Sequence, residues 1–201
     1  MELQQLPKVV QILLGAISAI LLVLAYIPYV KAIRRKIDPI TPRPLAWIGW
    51  ALLVGIGLVS QVIEKGFSLN QIAVFMSFVG CAVVSMLSFR NGNIKQMDWV
   101  CFLLGIICIV VYVKTRDPWQ TTVFAIIADT IAGLPTLHNA WSDPSSEKSS
   151  AWTFGTIAYA IAVIASIGHS MLYALLPIYL FCFNSTIILL TSRRIVQKAD
   201  T

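Results

Sequence analysis

Charged residues are kept out of seven long stretches of this chain, and that segregation limits the folds open to it more than any other feature. The stretches run from Pro7 to Arg35, Leu45 to Ile63, Leu69 to Arg90, Met97 to Lys114, Pro118 to Trp141, Ala151 to Ile167 and Met171 to Ser192. A helix of roughly 17 to 25 apolar residues crosses the ~30 Å hydrocarbon core of a bilayer. Of the 201 residues 58% are hydrophobic and only 12% are charged, and the charges gather between the stretches. A water-soluble chain has no reason to separate them in this way. The expected fold class is an all-α membrane protein with seven transmembrane helices.

Placement of the basic residues predicts the topology. In the first stretch the cluster Lys31, Arg34, Arg35 and Lys36 follows the apolar residues, whereas a signal peptide carries its charge in front, so this stretch reads as a retained helix. With the N-terminus outside and the C-terminus cytoplasmic, eleven basic residues fall on the inner side and four (Lys8, Lys65, Lys114, Arg116) on the outer side. That is the bias expected of membrane proteins, and it accounts for the net charge of +6 without a nucleic-acid partner. The compact loops suit a bacterial plasma (inner) membrane, and a homo-oligomer is compatible with the same plan. Cys81, Cys101, Cys108 and Cys182 all lie inside apolar stretches without metal-ligand spacing, and they read as free thiols, with no metal and no cofactor implied.

Polar residues inside the apolar stretches then stand out. Asp129 is the one acid deep in any of them, and Pro135, six residues on, deprives the carbonyl of Ile131 of its helical amide partner. An ionisable group within a membrane span is a candidate for function, because lipid cannot solvate it. The third stretch sets Ser77, Cys81 and Ser85 on one face at steps of four, and the first carries Gln11, Gly15, Ser18 and Tyr29 on a small or polar stripe. In the seventh, Asn184 needs hydrogen-bonding partners that lipid does not offer. Trp47 and Trp50, just after the proline-rich loop containing Pro39, Pro42 and Pro44, read as interface anchors, and His138 reads as an interfacial residue. Asp117 and Pro118 read as the start of the fifth helix, and Ser149 or Ser150 as the cap of the sixth. An enzyme is not expected: there is no second carboxylate at the level of Asp129, no paired nucleophile and base, and no phosphate-binding glycine loop. A retinal photoreceptor is excluded because the seventh stretch has no lysine for a Schiff base.

An internal repeat organises the chain further. AYIPYVKAIRRKIDPITPRPLAW from Ala25 aligns with AGLPTLHNAWSDPSSEKSSAW from Ala132, matching Pro28 with Pro135 and, across a short gap, Trp47 with Trp152. The same register pairs Leu22 with Asp129, Gly15 with Thr122, Ser18 with Ala125 and Tyr29 with Thr136. Helices one to three (residues 1–93) thus correspond to helices five to seven (117–201), and the fourth (94–116) is a linker that restores the second unit to the orientation of the first. This predicts a 3+1+3 arrangement of two parallel triple-helix bundles.

Seven spans in this order, with proline phrases near the cytoplasmic ends of the first and fifth helices, resemble the PQ-loop superfamily, which includes the SWEET sugar facilitators, the half-size SemiSWEETs, cystinosin-type carriers and the KDEL receptors. The glutamine that names the motif is replaced here by Tyr29 and Thr136. The resemblance implies hinges at Pro28 and Pro135 and a solute pocket between the bundles, with Cys81 and Asn184 at matching heights. The expected function is a transporter or facilitator of a small polar solute (sugar, amino acid or small organic acid) by alternating access. Asp129, Asn184, Cys81, Ser77, Thr122 and Ser18 are its expected substrate-binding residues, and proton exchange at Asp129 would couple transport to a proton gradient. The alternative is a receptor or sorting protein that holds a small ligand or peptide in the same central pocket without transporting it.

Overall fold

The structure, a computed structural model, describes residues 6–35, 42–65, 71–89, 94–115, 117–168 and 171–199. Seven helices and no strand are found among them: α1 Lys8–Arg35, α2 Pro44–Lys65, α3 Ile72–Ser88, α4 Gln96–Thr115, α5 Pro118–Ser142, α6 Ser149–Ala165 and α7 Met171–Ala199. Three are long and apolar enough to cross a membrane, over Lys8–Arg34, Thr122–Ser142 and Met171–Arg193, and Pro44–Val59, Ile72–Ser88 and Ser149–Ala165 are shorter apolar helices. The expectations for Lys36, Pro39, Arg90 and Arg116 fall outside the described residues, as do those for the side chains of Cys101 and Cys108.

Local signals account for where several helices begin. The Asp117 carboxylate accepts hydrogen bonds from the Trp119 and Gln120 amides at 2.8 and 3.2 Å, capping α5 ahead of a first-turn proline whose missing amide is not needed there. The start of α6 differs from the expected serine cap. Ser149 is already helical and its carbonyl accepts from the Thr153 hydroxyl, while Lys148, in extended conformation, occupies the capping position. The serines of the preceding loop serve the turn instead, since Asp143 Oδ1 accepts from the amide and hydroxyl of Ser145. Pro28, Pro135 and Pro177 all lie inside helices that continue through them.

Six of the helices close a ring: α1 packs on α3 and α6, α3 on α2, α2 on α5, α5 on α7, and α7 on α6. The remaining helix, α4, packs on α5 and α2 and turns Leu103, Ile107, Val110 and Val113 outward. Small residues bring the ring together. Ser18 donates to the Ala158 carbonyl at 2.9 Å, so α1 and α6 nearly touch, and Gly80 leaves room on α3 for the ring of Tyr26, which a Cβ would meet at 2.1 Å. The outside of the molecule is covered with exposed aliphatic side chains, among them Leu13, Ile20, Ile157, Ile164 and Leu189. In water such a surface would drive aggregation, and lipid is the solvent that suits it.

Candidate functional site

Between the ring helices lies a cavity of about 60 Å³, lined by residues of all six. One water needs about 10–15 Å³ of such space, so the cavity holds a handful of waters or a small solute. Its polar floor comes from α3, α5 and α7. Asp129, only 3% exposed, lines the cavity and its Oδ2 accepts from the Tyr179 hydroxyl at 2.9 Å. Tyr179 is held in turn by Thr130, whose hydroxyl reaches it at 3.1 Å. The Asp129 carbonyl accepts from the indole N–H of Trp50 at 3.3 Å, which draws α2 onto α5. Opposite, a second hydroxyl chain links three helices: Tyr26 Oη lies 3.1 Å from Ser77 Oγ and 3.4 Å from Cys81 Sγ, and Ser77 Oγ lies 2.9 Å from Tyr159 Oη. Asn184 also lines the cavity, set against Gly155, where a Cβ would stand 3.2 Å from its amide nitrogen.

Aromatic rings make up the rest of the wall. Trp50 stands nearly perpendicular to Trp47 and to Trp152 (81° to each) and to Phe183 (80°), with centroids 5.1, 6.0 and 5.7 Å away. Trp47 and Trp152 face each other at 6.4 Å, tilted by 38°. Trp47 and Trp50 therefore do not sit at a lipid interface as their positions near the start of an apolar stretch suggested, and Trp152 is buried with them. They are buried because α2 and α6 point them inward, and the hollow between the helices needs large side chains to fill it.

At the end where α1 and α5 finish and α2 and α6 begin, the cavity is stopped by a buried polar plug. Tyr29 packs edge-on against Trp47 at 4.9 Å and donates its hydroxyl to Glu147, which also accepts from the indole N–H of Trp152 at 3.1 Å. Glu147 belongs to the loop between α5 and α6 and is 6% exposed. Burial pushes its carboxyl group up to about 7, against the opposing pull of the Tyr29 and Trp152 hydrogen bonds and the Arg43 charge. Beside it Arg43 forms a buried ion pair with Asp98 at 3.1 Å and donates to Asn139 at 2.7 Å, fastening the start of α2 to α4 and α5. Thr136 is 1% exposed, and its hydroxyl has no hydrogen-bond partner, like the indole N–H of Trp47.

Of the residues singled out from sequence, Asp129, Asn184, Cys81 and Ser77 come together around the cavity. Ser18 is buried at the α1–α6 contact, bonded to Ala158, and Thr122 lies half-buried two turns before Asp129; neither is among the lining residues. Pro28 immediately precedes Tyr29 of the plug and Pro135 immediately precedes Thr136. Leu22 with Asp129 and Trp47 with Trp152, matched by the internal alignment, and Cys81 with Asn184, expected at matching heights from the resemblance, all line the one cavity. Glu147, Tyr179, Tyr26 and Tyr159 were not anticipated. The tyrosines carried a usable signal, since a phenol inside an apolar stretch needs a partner, but a glutamate in a serine-rich loop carries none. No family model, curated protein or solved structure matches the chain.

Proposed function

We propose that the chain is a multi-pass membrane carrier of a small polar solute, working by alternating access between two like-oriented bundles, α1–α3 and α5–α7, with α4 as the linker. The observation that carries this reading is that residues paired by the internal repeat converge from opposite sides on one cavity containing a carboxylate. The order of packing supports it. Within the first unit α3 lies between α1 and α2, within the second α7 lies between α5 and α6, and the contacts between units, α1 with α6 and α2 with α5, are the same contact taken twice. Such a pseudo-twofold plan, with a site between repeats, is a recurrent transporter design.

In this proposal Pro28 and Pro135 are the hinges, each at the last turns of a helix whose next residue enters the plug. The cytoplasmic end is closed by Tyr29, Glu147 and Trp152, and rocking of one bundle against the other separates them. Asp129 binds the solute and exchanges the proton that couples its movement. With the N-terminus outside, the plug faces the cytoplasm, in keeping with the basic residues around it.

The experiment is uptake into proteoliposomes of sugars, amino acids and small organic acids, with and without an imposed pH gradient. The expected result is saturable flux of one class, lost in Asp129→Asn. Saturable binding without flux of anything bound would replace the carrier with the receptor reading.

A further inference from the structure

We propose that the solute is a small organic cation of the ammonium type, held in the cavity between the Asp129 carboxylate and the aromatic wall formed by Trp47, Trp50, Trp152 and Phe183. This rests on the carrier reading of the same cavity. A cation is attracted to the negative faces of aromatic rings, most strongly to indole, and the attraction grows when water is excluded. Here Trp50 packs edge-to-face with Trp47, Trp152 and Phe183, and all four rings line the cavity, so aromatic surface in several orientations borders the space beside Asp129. Among the described residues lining the cavity there is a carboxylate and no lysine or arginine, leaving its charge for a solute to balance.

Hydrogen-bonding capacity points the same way. A sugar of matching size would present several hydroxyl groups, each requiring a partner once out of water. The hydroxyls of Tyr26, Ser77 and Tyr159 bond to one another, and the Trp50 N–H is occupied by the Asp129 carbonyl. What remains is the carboxylate, the carboxamide of Asn184 and the indole N–H of Trp47, too few for a polyol and sufficient for an ammonium group with one polar substituent.

The discriminating pair of probes is choline and its uncharged carbon isostere, dimethylbutanol, which have the same shape and differ in charge. Binding to the purified full-length protein in detergent is read by tryptophan fluorescence and by thermal stabilisation. Choline is expected to bind at least about tenfold more tightly than the isostere. In Asp129→Asn that preference shrinks while the affinity for the isostere is kept. Trp50→Phe, which preserves a ring, retains part of the preference. Equal affinity for the two probes, or no saturation by choline below about 10 mM, overturns the proposal. The wild-type comparison needs no variant to fold. Flux of a neutral solute with choline excluded would overturn the cation and leave the carrier standing, whereas selective choline binding without choline flux would overturn the carrier and leave the cation standing.

Discussion

Replacing Glu147 with glutamine isolates the contribution of the plug to stability and gives it a pH signature. The carboxyl group has an ordinary value of 4.5, and burial raises it to about 7 in the folded protein. Below pH 4.5 it is protonated whether the chain is folded or not, and its stabilising contribution is fully present. As pH rises toward 7 the unfolded chain releases this proton first, the folded chain retains it, and stability falls until both forms are ionised. At about 1.4 kcal/mol per pH unit the loss amounts to ~3 kcal/mol, some hundredfold in the unfolding equilibrium. The groups facing the carboxyl are Tyr29 from α1, Trp152 from α6 and Arg43 ahead of α2, and all of them remain in the variant. The glutamine carbonyl can still accept from Tyr29 and Trp152 but has no proton to lose. Unfolding in mixed micelles, followed by circular dichroism from pH 4.5 to 8, should therefore show wild-type stability dropping relative to Glu147→Gln by roughly that amount. Other titrating groups are common to both proteins and cancel in the difference. Parallel curves for the two would refute the argument, because they would mean that Glu147 reaches water in the folded state.

Two further substitutions probe the same end of the molecule. Arg43→Leu strands the Asp98 carboxylate in a buried site and should destabilise the protein by about 3–5 kcal/mol, most of which returns when Asp98→Leu is added, as unfolding midpoints of the singles and the double would report. Thr136→Val keeps the shape of a fully buried side chain and removes a hydroxyl that has no partner, so stability should rise by ~1 kcal/mol or more while solute uptake slows, the closed plug having become harder to open; a fall in the unfolding midpoint would show that the hydroxyl is bonded after all.

How much of this could be seen in the sequence depends on whether the relevant physics is local. Run length marked out the helices because a backbone in lipid must satisfy itself over a fixed thickness, and the cap at Asp117 was visible because it acts on amides two and three residues away. Asp129 was conspicuous because nothing near it in the chain could solvate it. The indoles of Trp47 and Trp50 were misplaced for a related reason: a position near the end of an apolar stretch gives depth but not facing, and they face inward only because α1 and α7 stand where they do. Arg43 was counted as one of the charges that orient the chain, yet it is buried against Asp98, more than fifty residues away. Glu147 was least legible of all. Its neighbours SDPSSEKSS look like solvated loop, and its partner Tyr29 lies across the ring on the first helix. Packing glycines were equally silent: Gly133 gives way to the ring of Phe183, which a Cβ would approach to 2.5 Å, and only the assembled pair of helices makes that visible.

The proposed repeat also explains why the chemistry is concentrated on a few positions. A pseudo-twofold axis through the cavity would place like residues opposite one another, and Trp47 facing Trp152 fits that expectation. The other matched pairs break it: Leu22 opposes Asp129, Cys81 opposes Asn184, and Tyr29 of the plug corresponds to Thr136. In the proposed carrier two similar units suffice to build a hollow that opens toward either side, because each would provide the same helix order and the same hinge. Recognition of a particular solute has no need of that symmetry and is served by departing from it, with one carboxylate on one wall and apolar surface at the matching point of the other. In the proposed carrier the single acid therefore follows from a division of labour within the fold: the helix order and hinges that repeat build the hollow, and the side chains that do not repeat determine what it holds.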